Sequence, residues 1–221
     1  MGNTLTIFDL DNTLIQGDSS TVWSQFMVRE GLATQKGYLA REARLMADYD
    51  RGEMNIADYV ALIQAPLAGI PKSDVDALVA RCVREAILPR VYPQAWELIR
   101  RLRAEGEQML IISASVSLLV QAVAAALEIE QALGIDVAMV DGGYSGIIAG
   151  IPSYQQGKVA RLAQWREAHP QYDGEVTFYT DSINDLPLCL HADRVRLVNP
   201  CPQLQAAGAG YGWPVLSWRL E

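Results

Sequence analysis

The octapeptide Ile7-Phe8-Asp9-Leu10-Asp11-Asn12-Thr13-Leu14 sets two carboxylates two positions apart, with a hydroxyl two further on. Residues 4–8 alternate polar and apolar types and are rich in β-branched side chains. That pattern predicts a short buried strand. Period two along a strand puts Asp9 and Asp11 on one side. Two like charges that close repel each other unless a cation lies between them or one holds a proton. A metal and a reaction explain the pair better than a structural role does.

Other polar groups stand where predicted strands end. The apolar run 108–112 leads into Ser113 and Ala114, and a helical pattern follows over 116–128. A hydroxyl there, with the free N–H groups of a helix start, suits phosphate oxygens. A strand predicted over 176–180 delivers Asp181, which opens the run Asp181-Ser182-Ile183-Asn184-Asp185. Between them, Lys158 lies in a helix predicted over 155–168, as a point charge suited to phosphate.

Hydrophobic periodicity supplies the elements that must position these groups. Residues 12–20 form a polar turn, with Ser19 or Ser20 as the expected cap of the next helix. Helical stripes then run from 21 to about 87 without a strand signal, which predicts an all-helical insert. A proline-bounded linker covers 89–93. Beyond it a helix is expected over 95–104, then strands over 108–112, 135–140, 176–180, 194–198 and 214–218. A glycine-rich hairpin is expected over 142–150 and a short helix over 184–190. Strands alternating with helices predict an α/β fold with a mostly parallel sheet covered on both faces. In such sheets ligands sit beyond the carboxyl ends of the strands.

The chain has 221 residues and half are apolar, enough for one large domain or a domain with a smaller insert. A net charge of −8 argues against nucleic acid or an anionic membrane as partner. It leaves room for an anionic small substrate, because one metal ion reverses the local field. Three dispersed cysteines make neither a disulfide framework nor a zinc knuckle, and two histidines argue against His-based sites. The longest apolar stretch, 116–127, contains Gln121 and is too short to span a bilayer. No signal-peptide pattern opens the chain, so a cytoplasmic location is expected.

Taken in order, these motifs resemble the haloacid dehalogenase superfamily of phosphatases, and within it the phosphoserine phosphatase branch with a helical cap. The resemblance covers nearly the whole chain. It implies a Rossmann-like three-layer core over 1–17 and 89–221, with a helical cap over 18–88. It also implies bound Mg²⁺ and an aspartyl-phosphate intermediate. Asp9 is then the nucleophile, and Asp11 the acid and base. Asp9, Asp11 (through its carbonyl), Asp181 and Asp185 (through a water) hold the metal. Thr13, Ser113, Ala114, Lys158 and Asn184 contact phosphate. Asp18 falls where the branch carries an acid near a substrate amine.

The segment Gly52-Glu53-Met54-Asn55-Ile56 resembles the start of a cap helix in that branch, and aligning from it puts the carboxylate-binding arginine at Ile63. An isoleucine cannot pair with a carboxylate, although Arg41, Arg44 or Arg51 could substitute from elsewhere. The expected substrate is therefore a small amine-bearing phosphomonoester, such as histidinol phosphate or another amino-alcohol phosphate, with phosphoserine less favoured. The protein acting on it would be a monomer or homodimer. The rival readings are a phosphotransferase using the same motifs and a non-catalytic phosphate-binding module. Trp23, Trp96 and Tyr59 sit in helical stripes and are expected to serve the core.

Overall fold

The computed structural model describes residues 3–220; residues 1, 2 and 221, at the outer ends of the expected core, lie outside it. Six parallel strands form one sheet: β1 (Leu5–Phe8), β2 (Gln108–Val116), β3 (Gln131–Ile135), β6 (Val176–Thr180), β7 (Arg194–Val198) and β8 (Val215–Leu216). Their order is β3-β2-β1-β6-β7-β8, so β1 is central and the strand order switches direction beside it. Alternation along the strands separates two cores. Leu5, Ile7, Leu110 and Phe178 face one, while Phe8, Ile111 and Tyr179 face the other. The fold is α/β, with helices on both faces of a parallel sheet.

The long insertion is helical as expected: α1 (Ser19–Arg29), α2 (Tyr38–Asp50), α3 (Ile56–Gln64) and α4 (Lys72–Cys82). After α4 comes a π-helical turn over Val83–Ile87 and a 3-10 turn over Leu88–Arg90. The entering and leaving chains run side by side, with Gln16 N donating to Arg90 O and Tyr92 N to Leu14 O. Neither Ser19 nor Ser20 caps α1. Asp18 does, accepting from Thr21 N at 2.7 Å, because its carboxylate reaches the exposed N–H groups from outside the first turn. Among the described residues no helix is long and apolar enough to cross a membrane.

The remaining helices are α5 (Pro93–Ala104), α6 (Ser117–Ala126), α7 (Gln156–Ala168), α8 (Leu186–His191) and α9 (Pro202–Ala209), the last without a counterpart in the sequence reading. Two expectations change. The strand expected over 135–140 breaks at Asp136, whose carboxylate accepts from Ser117 Oγ and from Arg161 Nη1 at 2.6 Å. β3 stays in the main sheet, and Gly134 lets it pass the start of α6: a Cβ there would stand 2.7 Å from Ser117 Cα. β4 (Val137–Val140) leaves to pair with β5 (Gly143–Ile148). Asp141 and Gly142 both take positive φ at the turn, which suits the twist of a tight hairpin. That hairpin packs on α3 and α4, where Tyr144 OH donates to Asp76 Oδ1 at 2.7 Å. The helical insert is thus walled by a piece of chain far from it in sequence.

The second change is at β2, which runs to Val116 because its parallel pairing with β3 resumes past an irregularity and reaches Ile135. Ser113 therefore sits within a strand, four positions before α6 begins, and not at a helix start.

Candidate active site

The carboxyl ends of β1, β2 and β6 bring the separated polar groups together. Asp9, one residue past β1, is 3% exposed. Its Oδ1 accepts from Lys158 Nζ at 2.7 Å. The same ammonium stands 2.6 Å from Asp185 Oδ1. Lys158 comes from the first turn of α7 and is fully buried. Burial works against its charge, but Asp185 and Asp9 outweigh burial and raise its pKa. Burial also pushes the Asp9 carboxyl up to about 7, with Lys158 opposing and Asp185 and Asp11 adding to the rise.

Asp11 faces a different set of partners. Its Oδ1 accepts from Ser19 N at 2.5 Å, and its Oδ2 accepts from Ser115 Oγ at 2.9 Å and Ser113 Oγ at 3.5 Å. Its side chain is held by the root of the insert and by β2. Burial raises its pKa, against the hydrogen bonds from Ser19 and Ser115.

Thr13 is fully buried and donates to Asp181 Oδ1 at 3.3 Å, so it orients that carboxylate from beneath. Asp185 was expected to hold a metal-bound water, yet both its oxygens are engaged. One faces Lys158, and the other accepts from Thr180 Oγ1 at 2.7 Å. Asn184 is turned to the insert: its Nδ2 donates to Tyr49 O at 2.7 Å, and its Oδ1 accepts from Gln155 Nε2 at 3.1 Å. The same Gln155 amide reaches Gly52 O at 3.1 Å, so two side chains beside the sheet grip the loop after α2. The expectation that Asn184 contacts phosphate would require that grip to break first.

Two cavities open here. A cleft of about 650 Å³ is bordered by Asp11, Asp18, Asp50, Asp181, Met46 and Tyr49, and no lysine, arginine or histidine lines it. A pocket of about 20 Å³ lies between Asp9, Asp11, Asp18, Ala114 and Tyr59. That holds about one water. Asp9 therefore lines the smaller space, and the larger cleft lies beside it.

Ser115 and Gln155 carry no expectation from the sequence, while Ser20 was expected only as a cap and Tyr59 only as core. One signal was present for Ser115: period two along an extended β2 puts it on the same side as Ser113. Tyr59 is buried as expected, but its hydroxyl meets Ser20 Oγ and does not end in apolar packing. Ile63 is fully buried in the hydrophobic core. Arg51 is half exposed and paired with Asp48 and Glu53, while Arg41 and Arg44 border a separate groove. None of the three reaches the cleft.

The carboxylates are the candidates to hold a divalent cation. Among the described residues no three carboxylate, imidazole or thiolate side chains form a ligand set by themselves. The donors at hand are all oxygens, however, and burial with the Asp9 and Asp185 charges holds Asp181 well above the usual carboxylate range. Lys158 is the one buried cation among them. A hard ion that keeps several waters and takes few protein oxygens matches this set, as Mg²⁺ does.

These raised pKa values make a prediction. A carboxyl whose folded pKa lies above its unfolded value binds protons more readily when folded, so stability falls as pH climbs between the two. For Asp9 that window runs from about 4 to about 7. Metal-free protein should therefore melt several degrees lower at pH 8 than at pH 5. Added Mg²⁺ should recover most of the loss at pH 8 and little at pH 5. Melting curves with chelator and with Mg²⁺ at the two pH values check this; a metal-free optimum at pH 8 would contradict it.

A family model for haloacid dehalogenase-like hydrolases matches residues 6–189. The chain belongs to that family, and its place there is among the phosphatases. A protein named histidinol-phosphatase from Neisseria meningitidis serogroup C (strain 8013) is 33% identical over 97% of this chain and 99% of its own length. A crystal structure of a protein of unknown function from Bordetella pertussis Tohama I superposes with a TM-score of 0.88 at 31% identity, covering 98% of this chain and 99% of that one. A phospho-aspartyl intermediate analogue of phosphoserine phosphatase shares the fold, with a TM-score of 0.66 at 17% identity over 93% of this chain and 91% of that chain.

Proposed function

We propose that the protein is a Mg²⁺-dependent phosphomonoesterase acting on small esters whose alcohol part carries a cationic nitrogen, by way of a phosphorylated Asp9. One observation carries the reading: Asp9, held 2.7 Å from buried Lys158, lines a small pocket that shares Asp11, Asp18, Met46 and Tyr49 with a cleft edged by carboxylates and free of basic side chains. The phosphate end meets Lys158, and the organic end meets neutral side chains and carboxylates but no basic group.

Asp9 attacks phosphorus as a carboxylate. Mg²⁺, held by Asp9 and Asp181 side chains and the Asp11 carbonyl, would supply the positive charge that lets a carboxylate approach a phosphate dianion. The Asp11 side chain gives a proton to the leaving alkoxide and later takes one from the water that releases phosphate. Lys158, Ser113 and the Ala114 backbone offset charge on the phosphoryl oxygens. Asp185 acts through Lys158, and Thr13 through Asp181.

Asp18 supplies the carboxylate for the substrate cation. Its pKa is held well above the usual range by burial and by Asp11, so a cation arriving there relieves repulsion. A substrate carboxylate finds no partner, since Ile63 is apolar and the nearby arginines lie outside the cleft. The relative named histidinol-phosphatase agrees with this charge pattern. On a panel of phosphate esters, histidinol phosphate and other amino-alcohol phosphates should show kcat/KM at least about tenfold above phosphoserine. Chelation should suppress turnover by about a hundredfold or more, reversibly by Mg²⁺. A preference for phosphoserine would overturn the substrate class, and turnover indifferent to chelation would overturn the metal.

A further inference from the structure

Four hydroxyls from three elements form a connected set that reaches Asp11 through Ser115. Ser115 Oγ, near the end of β2, donates to Asp11 Oδ2 at 2.9 Å. It lies 3.1 Å from Ser20 Oγ and 3.2 Å from Ser19 Oγ, both in the first turn of α1. Ser20 Oγ in turn meets Tyr59 OH, which comes from the middle of α3. Ser19 and Ser20 are fully buried, and Tyr59 and Ser115 nearly so.

Each hydroxyl has one proton to donate. If Ser115 gives its proton to Asp11, its oxygen must accept from a neighbour. If Ser20 is that neighbour, Ser20 must accept from Tyr59. The phenol is the end of the chain and the strongest donor in it, so it orders every bond downstream. Tyr59 and Ser20 belong to the insert, whereas Ser115 and Asp11 belong to the sheet. The Ser20–Ser115 link therefore forms only when the insert is seated.

We propose that Tyr59 is a positioning residue for Asp11: through Ser20 and Ser115 it aims the Asp11 carboxyl, so that seating of the insert completes the acid–base group. The inference rests on the phosphatase reading above. It adds that the element covering the substrate also sets the geometry of proton transfer. Seating would then exclude water and arm Asp11 in one movement.

The test is Tyr59→Phe, with Ser20→Ala as a second break in the same chain and Ser20→Thr as the variant that keeps the hydroxyl. Far-UV circular dichroism and melting curves check that each is folded. On an amino-alcohol phosphate, Tyr59→Phe and Ser20→Ala should each lower kcat about tenfold with KM within about twofold, as expected for losing one buried hydrogen bond in the transition state. The double variant should lose no more than either single, because both break one chain. Ser20→Thr should keep most of kcat. In single-turnover release of the alcohol, p-nitrophenyl phosphate should be slowed far less than the alkyl ester, since its leaving group needs little protonation. Unchanged kcat, a rise confined to KM, multiplying losses in the double variant, or equal slowing of both esters would each overturn the role of Tyr59. A wild-type protein inactive on all phosphate esters, or active without Asp9, would overturn the phosphatase reading and this inference with it.

Discussion

Asp9→Asn should lower kcat by about four orders of magnitude on every phosphate ester tested. The amide has nearly the shape of the carboxylate, but its oxygen is a poor nucleophile and it would bring no charge to the cation proposed to lie between it and Asp181. The fold should survive. Lys158 keeps Asp185 at 2.6 Å, and the crowd of buried carboxylates loses one member. Removing a group that burial pushes up to about 7 should leave the metal-free protein at least as stable at pH 8 as the wild type. Phosphate release and thermal unfolding measured on the same preparation separate the two effects. Full turnover in a folded Asp9→Asn protein would reassign the nucleophile. A protein that failed to fold would make Asp9 structural.

The second large effect falls on stability and turnover together. Lys158→Met keeps the length of the side chain and removes the ammonium from between Asp9 and Asp185. Removing one partner from a buried ion pair costs about 3–5 kcal/mol. For a chain of this size that is a fall in Tm of about 10 °C. The fall should be larger at pH 8 than at pH 5, because burial pushes the Asp9 carboxyl up to about 7, so at the lower pH it takes up a proton and leaves less uncompensated charge. Turnover should drop about a thousandfold, since the ammonium is proposed to offset charge on the transferring oxygens as well. Lys158→Arg should rescue neither property, because a fully buried site shaped for a compact ammonium has no room for a planar guanidinium. Melting curves at the two pH values, with steady-state rates, decide it. A Met variant as stable as wild type at pH 8 would show that the ion triad is dispensable.

The site was only partly legible in the chain. Asp9, Asp11 and Asp181 each follow an apolar strand and Ser113 follows an apolar run, so their place at one edge of a sheet could be read from the pattern, although β2 carries on past Ser113. Lys158 came from its position between those motifs in the order that resembles the family. The hydroxyls around Asp11 could not be read in the same way. Ser20 and Ser115 are 95 positions apart, and Ser20 and Tyr59 are 39 apart. A serine or a tyrosine in a helical stripe looks alike whether it meets solvent, core or carboxylate. The break at Asp136 was hidden because alternation passes through it, and only Ser117 and Arg161 explain why the chain turns there. Helix α9 has a proline at its start but only a weak apolar face, so its pattern did not stand out.

Local physics therefore settled which segments become strands and helices and which carboxylates follow a strand, because periodicity and side-chain branching act over a few residues. Packing alone decided that β1 lies between β2 and β6, which brings residues 9, 113 and 181 to one edge. It also decided that Asp185 and Asn184 grip Lys158 and the insert, that the cleft carries acids without bases, and that Tyr59 joins the hydroxyls at Asp11. Those outcomes depend on partners brought together from distant parts of the chain, and no short stretch of residues encodes the partner it will meet.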